Sequence, residues 1–300
     1  MVILALTYRK LVDRDFKVLR VIERFMPRYE YVPLEVIEKS LPSIPSTHID
    51  SSLRKLNQLK LVRRRVGDYI GYRLTFMGLD VLALKSLVDR GILAALGDKL
   101  GVGKESDVYS ALTPSDERVI VKFHRLGRTS FQHVLKHRHF VVDKPRYSWL
   151  YYAKLAGERE YKALAELYRA KAYVPKPLAY SRHAVVIEYI EGVELYEYTN
   201  PLDPESMLQK ILDTIRIAYT VVGIVHGDLS EYNIMVTVKN EEEIPLIIDW
   251  PQYVEKEHPL AQQLLKRDIS YVLRFFKKKY GVYVGEDKAL KYVKGESETL

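Results

Sequence analysis

"IVHGDLSEYN", residues 224–233, and "IIDWPQ", residues 247–252, carry the most informative pattern of polar residues in the chain. Each opens on an apolar run, and each run delivers polar side chains where it ends. Asp228 and Asn233 lie in a loop that leads into the predicted strand "IMVTV". A turn around "KNEEE" then leads to "PLIIDW", which places Asp249 at the end of the paired strand.

This set of side chains suits phosphoryl transfer, which needs positioning, metal ions and a carboxylate that orients the attacking group. Asp228 suits the catalytic, orienting role, and Asn233 and Asp249 are predicted to hold Mg²⁺ between the phosphates. His226 is predicted to support the loop by packing and hydrogen bonding rather than to act as a base. The spacing alone would arise by chance in roughly one chain in twenty-five of this length, so the interpretation depends on further motifs.

A candidate phosphate-binding hairpin lies upstream, in "LGVGKESDVYSAL". Gly101 and Gly103 would let the backbone approach a phosphate, Ser106 could bond a phosphate oxygen, and Lys104 is assigned to the same loop. The partner strand "ERVIVKFH" places Lys122 among apolar residues. Lys122 is therefore a candidate for binding the α- and β-phosphates of a nucleotide, with a surface Lys on a buried stem as the alternative.

Two later segments complete the predicted nucleotide site. The helical pattern "GEREYKALAELY" carries Glu160, the candidate partner of Lys122, although Glu158 fits the spacing too. The apolar strand "AVVIEYIEG" stops at a Gly, and backbone groups around Glu188 and Ile190 are predicted to hydrogen-bond an adenine edge. The alternative for this segment is an ordinary buried strand.

The first ninety residues predict a winged helix-turn-helix. Three helical patterns precede two short strands around Gly67 and Asp68, which form a hairpin turn signal. The third helix and the wing carry a set of basic residues: Arg54, Lys55, Lys60, Arg63, Arg64, Arg65 and Arg73. These cations could contact nucleic-acid phosphates, although winged helices also serve as protein-docking modules.

Charge is distributed unevenly along the 300 residues, whose net charge is +8. Residues 1–90 carry 17 Lys and Arg against 10 Asp and Glu, residues 122–182 carry 14 against 4, and residues 183–300 carry 13 against 20. The basic part favours a polyanionic partner, with a solvated surface as the alternative. The chain contains no Cys and no apolar run long enough to span a membrane, so we expect a cytoplasmic protein without a membrane partner.

In combination, these motifs resemble the signatures of the RIO family of atypical serine/threonine protein kinases. "GVGKESDVY", "VKFHRLGRTSF" and the winged helix resemble its second, winged-helix-bearing subfamily, and the resemblance covers essentially the whole chain. It implies an α+β fold in which a winged-helix domain with a linker helix, residues 1–90, precedes a trimmed bilobal protein-kinase-like (RIO) domain, residues 91–300. The N-lobe would cover about residues 91–190 and the C-lobe about residues 191–300.

The resemblance also implies roles for individual residues. Lys122 would grip ATP, Ser106 would meet its phosphates, Asp228 would be the catalytic Asp, and Asn233 and Asp249 would bind Mg²⁺ or Mn²⁺. The Asp-Phe-Gly triplet of ordinary kinases is here "DWP", a mild departure from the Phe that is frequent in the family. The implied partners are the precursor of the small ribosomal subunit and its ribosomal RNA. The sequence does not determine the oligomeric state, and we expect a monomer.

The sequence after Asp249 predicts one amphipathic helix over residues 262–276 and no room for a long activation segment or a peptide platform. We therefore expect an ATPase-like switch in small-subunit maturation, with weak activity on generic proteins and a transient aspartyl-phosphate at Asp249. The alternatives are a small-molecule phosphotransferase of the aminoglycoside type and a winged-helix nucleic-acid-binding module with a non-catalytic kinase fold.

A long basic stretch, "HRLGRTSFQHVLKHRHFVVDKPRYSW", separates Lys122 from the Glu160 helix. Thr129, Ser130 and Ser148 are candidate autophosphorylation sites, with Ser148 favoured. The equal alternative is a basic loop that lies on RNA.

Overall fold

The fold is that of a computed structural model, which describes residues 3–102, 106–125 and 148–300. The predicted phosphosites Thr129 and Ser130 and the side chain of Ser148 lie outside the described residues. The chain divides into two compact units. Unit 1 comprises residues 1–158 and 179–186, and unit 2 comprises residues 159–178 and 187–300. Over the described ranges, no helix is both long enough and apolar enough to cross a membrane.

Unit 1 begins with the predicted winged helix, which the structure confirms. Its helices are α1 (Ile3–Arg9), α2 (Asp13–Phe25), α3 (Leu34–Lys39), α4 (Ser46–Gln58) and α5 (Phe76–Asp89). Its strands are β1 (Val32–Pro33), β2 (Val62–Val66) and β3 (Ile70–Leu74), in the order β1-β3-β2. The periodicity of the third helical pattern predicts a buried stripe of Ile49, Leu53, Leu56 and Leu59; helix α4 buries the first three, and Leu59 is half-buried just after the helix ends. Gly67 and Asp68 lie in the hairpin turn between β2 and β3.

A five-stranded sheet follows, in the order β4-β5-β6-β8-β7. Its strands are β4 (Ala95–Val102), β5 (Ser106–Leu112), β6 (Arg118–His124), β7 (Pro177–Ser181) and β8 (Ala184–Glu188). The strands β4, β5 and β6 form an antiparallel meander in which Val108 pairs with both Gly101 and Lys122. Directly paired residues share a face of a sheet, so these three positions lie on one face, and the alternate residues Asp107 and Phe123 lie buried on the other.

A buried ion cluster joins the last helix of the winged helix to this second face. Arg125 donates to both carboxylate oxygens of Asp80, at 2.6 and 2.9 Å, and through Nε to Asp107 at 2.6 Å. His183 Nε2 lies 2.7 Å from Asp80 Oδ1 and 3.1 Å from Arg125 Nη1. All four side chains are buried, so removing one partner would leave an uncompensated charge in the interior.

The electrostatics of the cluster favour the charged form of Asp107 and the neutral form of His183. Burial opposes the ionised form of Asp107, but hydrogen bonds from Lys99 and Arg125 outweigh it and hold the pKa of Asp107 below its ordinary value. Burial lowers the pKa of His183, although the hydrogen bond to Asp80 partly offsets it. The cluster therefore pairs one guanidinium with two carboxylates, and Lys99, 2.7 Å from Asp107, adds a second cation.

Unit 2 contains the remainder of α6 (Ser148–Arg169) and the later elements of the chain. These are β9 (Gly192–Glu194), α7 (Pro204–Ile217), β10 (Ile224–Val225), β11 (Ile234–Lys239), β12 (Glu242–Ile247), β13 (Val254–Glu255), α8 (Ala261–Tyr280) and α9 (Glu286–Lys294). Strands β12, β11 and β9 form an antiparallel sheet in that order, and β10 pairs with β13.

Two helices of unit 2 have ends that the sequence pattern does not mark. Helix α7 ends at Ile217, and the chain continues as a π-helix over Ala218–Val222. Gly223, at φ 79°, ends this segment in the left-handed region, where a glycine has no steric penalty. The helix predicted over residues 262–276 is α8, which begins at Ala261 and ends at Tyr280. Its last turn is basic, which stabilises a helix C-terminus, and Gly281 ends the helix.

Replacing Asp80 by Ala should lower the free energy of unfolding by about 3–5 kcal/mol, because Arg125 would stay buried with one carboxylate partner fewer. Urea unfolding followed by circular dichroism measures the loss. Asp50→Ala is the matched control, since it removes an exposed carboxylate that pairs with Arg54 on the surface and should cost at most about 1 kcal/mol. Equal losses in the two variants would contradict a structural role for the buried cluster.

Candidate active site

Asn233 and Asp249 lie side by side at one end of the hairpin formed by β11 and β12. Ile234 pairs with Ile247, and the N–H of Ile248 donates to the carbonyl of Asn233 at 2.9 Å. Asn233 therefore immediately precedes one strand, and Asp249 follows the other by two residues. The register of the hairpin brings these two predicted metal ligands together, as the sequence pattern indicates.

Asp228 lies on the loop between β10 and β11, with its side chain 62% exposed. Backbone contacts fix its position: the side-chain amide of Asn233 donates to the Asp228 carbonyl at 2.7 Å, and the Asp228 N–H donates to His226 Nδ1 at 3.3 Å. An exposed carboxylate on a fixed backbone can accept a proton from, or orient, an incoming group without its own desolvation.

His226 supports this loop in the way the sequence predicts. Its Nε2 lies 3.0 Å from the carbonyl of Ile248, and its ring packs edge-on against Trp250, with 4.6 Å between ring centroids. In this arrangement Nδ1 accepts from the Asp228 N–H and Nε2 donates to the Ile248 carbonyl, so the ring joins the loop to the segment before Asp249. Trp250 is buried and donates to the carbonyl of Ile247 at 3.1 Å, so the unusual Trp packs against His226 and leaves Asp249 in place.

Sequence reasoning missed Asp268, the residue that anchors the loop. Its two carboxylate oxygens accept from the N–H groups of Gly227 at 2.7 Å and Leu229 at 3.2 Å, on either side of Asp228. Arg267 donates to the carbonyl of Gly227 and, at 3.3 Å, to Asp268 Oδ1. Burial raises the pKa of Asp268, against the opposing effects of His226, the two N–H groups and Arg267.

The sequence does carry a signal for Asp268. It lies four residues after Leu264 and four before Val272, within the apolar stripe of α8, where a carboxylate needs specific partners. Arg159 is a second omission, and its helical surroundings give no comparable signal. Its guanidinium lies 3.8 Å from the ring centroid of Tyr253, and its Nε donates to the carbonyl of Pro251 at 3.3 Å, so it holds the segment that follows Asp249.

The donor atoms at the hairpin end fit a hard cation. The Asn233 amide uses Nδ2 for the Asp228 carbonyl, which leaves Oδ1 as the ligand atom beside the Asp249 carboxylate. Asp249 has φ 68°, in the left-handed region that Asp tolerates better than most residues. In the described part of the chain, no three His, Asp or Glu side chains cluster as a metal cage. Two protein ligands suit Mg²⁺ that is also bound by substrate phosphates.

The predicted phosphate-binding residues of unit 1 that the structure describes share one sheet face. Gly101 and Lys122 pair with Val108, and Ser106 lies two residues before Val108 on the same strand. A Cβ at Gly101 would meet no atom within 4 Å, so packing does not demand a glycine and the space is open to a ligand. Gly103 and Lys104 lie outside the described residues.

The pairing of Lys122 with Glu160, or with Glu158, stays a prediction. Glu160 is buried and Glu158 is half-buried, and a buried carboxylate has the stronger need for a cation. The structure limits which backbone groups around Glu188 and Ile190 can hydrogen-bond the predicted adenine edge. The N–H of Glu188 donates to the carbonyl of Lys176 at 2.9 Å, so the Glu188 carbonyl and the Ile190 N–H are the groups to consider.

This arrangement of loop, hairpin and helix is that of a protein-kinase-like fold. The model of the RIO domain matches residues 107–289, and the model of the Rio2 N-terminal domain matches residues 8–90. The RIO-type serine/threonine-protein kinase Rio2 of Methanocaldococcus jannaschii is 38% identical over 278 residues, which cover 89% of this chain and 99% of that protein. The chain belongs to the RIO family of serine/threonine-protein kinases, in its Rio2 branch.

Two further relatives agree. The serine/threonine-protein kinase rio2 of Schizosaccharomyces pombe is 35% identical over 273 residues, covering 91% of this chain and 78% of that protein. The crystal structure of the Rio2 kinase-ADP/Mg²⁺-phosphoaspartate complex from Chaetomium thermophilum has a TM-score of 0.83 and 29% sequence identity, and the similarity covers 98% of this chain and 93% of that one. The resemblance found in the motifs is thereby confirmed.

Replacing Asp268 by Ala should loosen the catalytic loop, because two backbone N–H groups would lose their acceptor at about 1–3 kcal/mol each. Hydrogen exchange followed by mass spectrometry should show faster exchange in the peptide covering residues 224–233. Gln262→Ala is the control on the same helix, since Gln262 is exposed and bonds Tyr219 away from the loop. Unchanged exchange in Asp268→Ala would mean that other contacts hold the loop.

Proposed function

We propose that the protein is an ATP-dependent phosphotransferase that uses Mg²⁺, with Asp228 as its catalytic residue. The observation that carries the proposal is the placement of Asp228, Asn233 and Asp249 on one loop and one hairpin end, fixed from behind by Asp268. Mg²⁺ held by Asn233 and Asp249 would neutralise phosphate charge. The ADP/Mg²⁺ complex of the Chaetomium thermophilum Rio2 kinase supports both the nucleotide and the metal.

The candidate nucleotide-binding residues follow from the sequence motifs, and each unit carries its own set. Lys122 would pair with the α- and β-phosphates, while Ser106 and the open backbone at Gly101 would accommodate phosphate oxygens. The Glu188 carbonyl would accept from the adenine amino group, and the Ile190 N–H would donate to a ring nitrogen. Lys104 and Gly103 would complete the loop, and Glu160 would orient Lys122.

The acceptor we propose is the carboxylate of Asp249. One of its oxygens attacks the γ-phosphorus, the bond from that phosphorus to the bridging oxygen breaks, and ADP leaves with the electron pair. Water then attacks the phosphorus of the aspartyl-phosphate, which releases inorganic phosphate and restores the carboxylate. The phosphoaspartate in the Chaetomium thermophilum complex supports this route. Such a cycle would make the protein an ATP-driven switch with weak activity on generic proteins.

We propose that the switch acts in the cytoplasm, as a monomer, on the precursor of the small ribosomal subunit, with the winged helix contacting ribosomal RNA. The exposed wing residues Arg63, Arg64 and Arg65 support an RNA contact. Arg65 also lies 3.5 Å from Glu30, although its side chain stays 61% exposed. Two other basic residues of this region are held by internal contacts. Lys55 lies 2.6 Å from the buried Asp15, and Arg73 packs over the ring of Tyr31 at 4.9 Å.

Asp228→Asn and Asp249→Asn should each lower ATP turnover by about 10²- to 10⁴-fold while ADP affinity without metal stays near that of the unaltered chain. Asp249→Asn should in addition abolish the protein-bound phosphate that hydroxylamine releases, which is the diagnostic property of an acyl-phosphate. Asp116→Asn is the matched control, since Asp116 also has a positive φ, of 61°, and lies in an exposed turn. Full turnover in Asp228→Asn would overturn the assignment.

Replacing Arg63, Arg64 and Arg65 by Ala should weaken binding to duplex ribosomal RNA and lower the slope of log affinity against log salt by about 2–3, because three phosphate contacts disappear. Filter binding at several salt concentrations measures the slope. Lys10→Ala, outside the wing, serves as the single-charge control. A slope equal to that of the unaltered chain would assign the wing to a protein partner.

A further inference from the structure

The solvent side of α8 carries a row of cations and aromatic rings that the proposed function does not use. We define the α8 stripe as five exposed residues, of which the last lies just beyond the helix: Tyr271, Arg274, Lys277, Lys278 and Tyr283. At 100° per residue, the four helical members fall within about 120° of arc, on the side away from the buried face of α8. The stripe is therefore one continuous surface and not a set of scattered charges.

The charge of the α8 stripe contrasts with its surroundings. Residues 183–300 carry 20 acidic and 13 basic side chains, yet residues 269–285 contain four basic residues and no Asp or Glu. Over the residues that the structure describes, Arg274, Lys277 and Lys278 have no carboxylate within 4.0 Å. A local concentration of cations without internal counter-charges favours an anionic partner.

Two of the three cations of the stripe lie over aromatic rings. The guanidinium of Arg274 is 4.6 Å from the ring centroid of Tyr271, and Lys277 Nζ is 5.0 Å from that of Tyr283. Tyr271 is 44% exposed and Tyr283 is 73% exposed, so each ring presents surface to solvent. Exposed rings among cations are the combination on which unpaired bases stack while their phosphates are neutralised.

The stripe also starts beside the catalytic loop. Arg267, one helical turn before Tyr271, has its Nη2 4.0 Å from Asp228 Oδ1 and donates to the carbonyl of Gly227. From there to Lys278 the helix rises by about 16 Å, which is long enough to contact more than one phosphate of a single strand. A polyanion on this surface would therefore run from the neighbourhood of Asp228 along α8.

We infer that the α8 stripe binds single-stranded RNA. Phosphates would contact Arg274, Lys277 and Lys278, and unpaired bases would stack on Tyr271 and Tyr283. A duplex fits less well, because its bases are already paired and stacked. An acidic peptide would satisfy the cations and leave the rings unused. The inference rests on the proposed function in taking RNA as the partner, and it adds a second contact surface in unit 2.

The test uses the full chain with Arg63, Arg64 and Arg65 replaced by Ala, so that the wing does not dominate the signal. The probe is a fluorescently labelled twelve-nucleotide oligouridine, and its affinity is measured by anisotropy at several salt concentrations. In that background, Arg274→Gln with Lys277→Gln and Lys278→Gln should weaken binding more than tenfold and lower the salt slope by about 2.

The rings give a separate readout. Tyr271→Leu with Tyr283→Leu should weaken binding by tenfold or more with an unchanged salt slope, because stacking is lost and the cations remain. Lys266→Gln is the control on the same helix, since Lys266 lies outside the stripe and pairs with Glu286. A duplex of the same length should bind more weakly than the single strand.

Oligouridine affinity that does not change in either set of variants would overturn the inference. Weaker binding of a labelled polyglutamate in the charge variant, with oligouridine unaffected, would overturn it in favour of an acidic protein segment. RNA binding needs no ATP turnover, so an inactive unaltered chain would contradict the proposed phosphotransferase and leave the stripe in place. Loss of oligouridine binding by the variants with normal ATP turnover would support both.

Discussion

The candidate active site depends on one buried carboxylate. Asp268 takes the place of water around two backbone N–H groups, those of Gly227 and Leu229, and so fixes the peptide units on both sides of Asp228. Burial disfavours the charged form of Asp268 and raises its pKa. The hydrogen bonds to the two N–H groups therefore form at the cost of desolvating the carboxylate. What it provides is geometry: the carboxylate of Asp228 can stay exposed and responsive because its backbone is held from the interior.

A second buried charge organises unit 1 in a comparable way. The family models treat residues 8–90 and 107–289 as separate domains, but Asp80 belongs to the first range and Arg125 to the second. Their bidentate pair, completed by Asp107 and His183, ties the last helix of the winged helix to the sheet. The winged helix is therefore built into the same compact unit as the sheet, and the fixed polar geometry of the cluster permits few alternative packings.

Local sequence patterns predict much of this architecture. The buried charged residues that they do not predict depend on contacts between residues far apart in the sequence. The wing, the β11–β12 hairpin and the placement of Asn233 beside Asp249 follow from turn residues and strand period, which are properties of neighbouring residues. The pairing of Asp80 with Arg125 joins residues 45 apart, and no local period records it. Asp268 differs, because a carboxylate inside the apolar stripe of α8 is itself a local signal of a buried, partnered charge. Hydrophobic periodicity alone does not register it, since it records only the apolar positions.

Strand β5 places two consecutive residues on opposite faces of one sheet. Ser106 shares the face of Lys122, while Asp107 faces the guanidinium of Arg125 and, through it, helix α5. The two residues are adjacent on one backbone within a close-packed sheet, so a displacement of one residue is transmitted to the other. Whatever free energy couples the two faces acts with equal strength in both directions. If a nucleic acid on the winged helix tightens the hold on a nucleotide, the nucleotide must tighten the hold on the nucleic acid by the same factor.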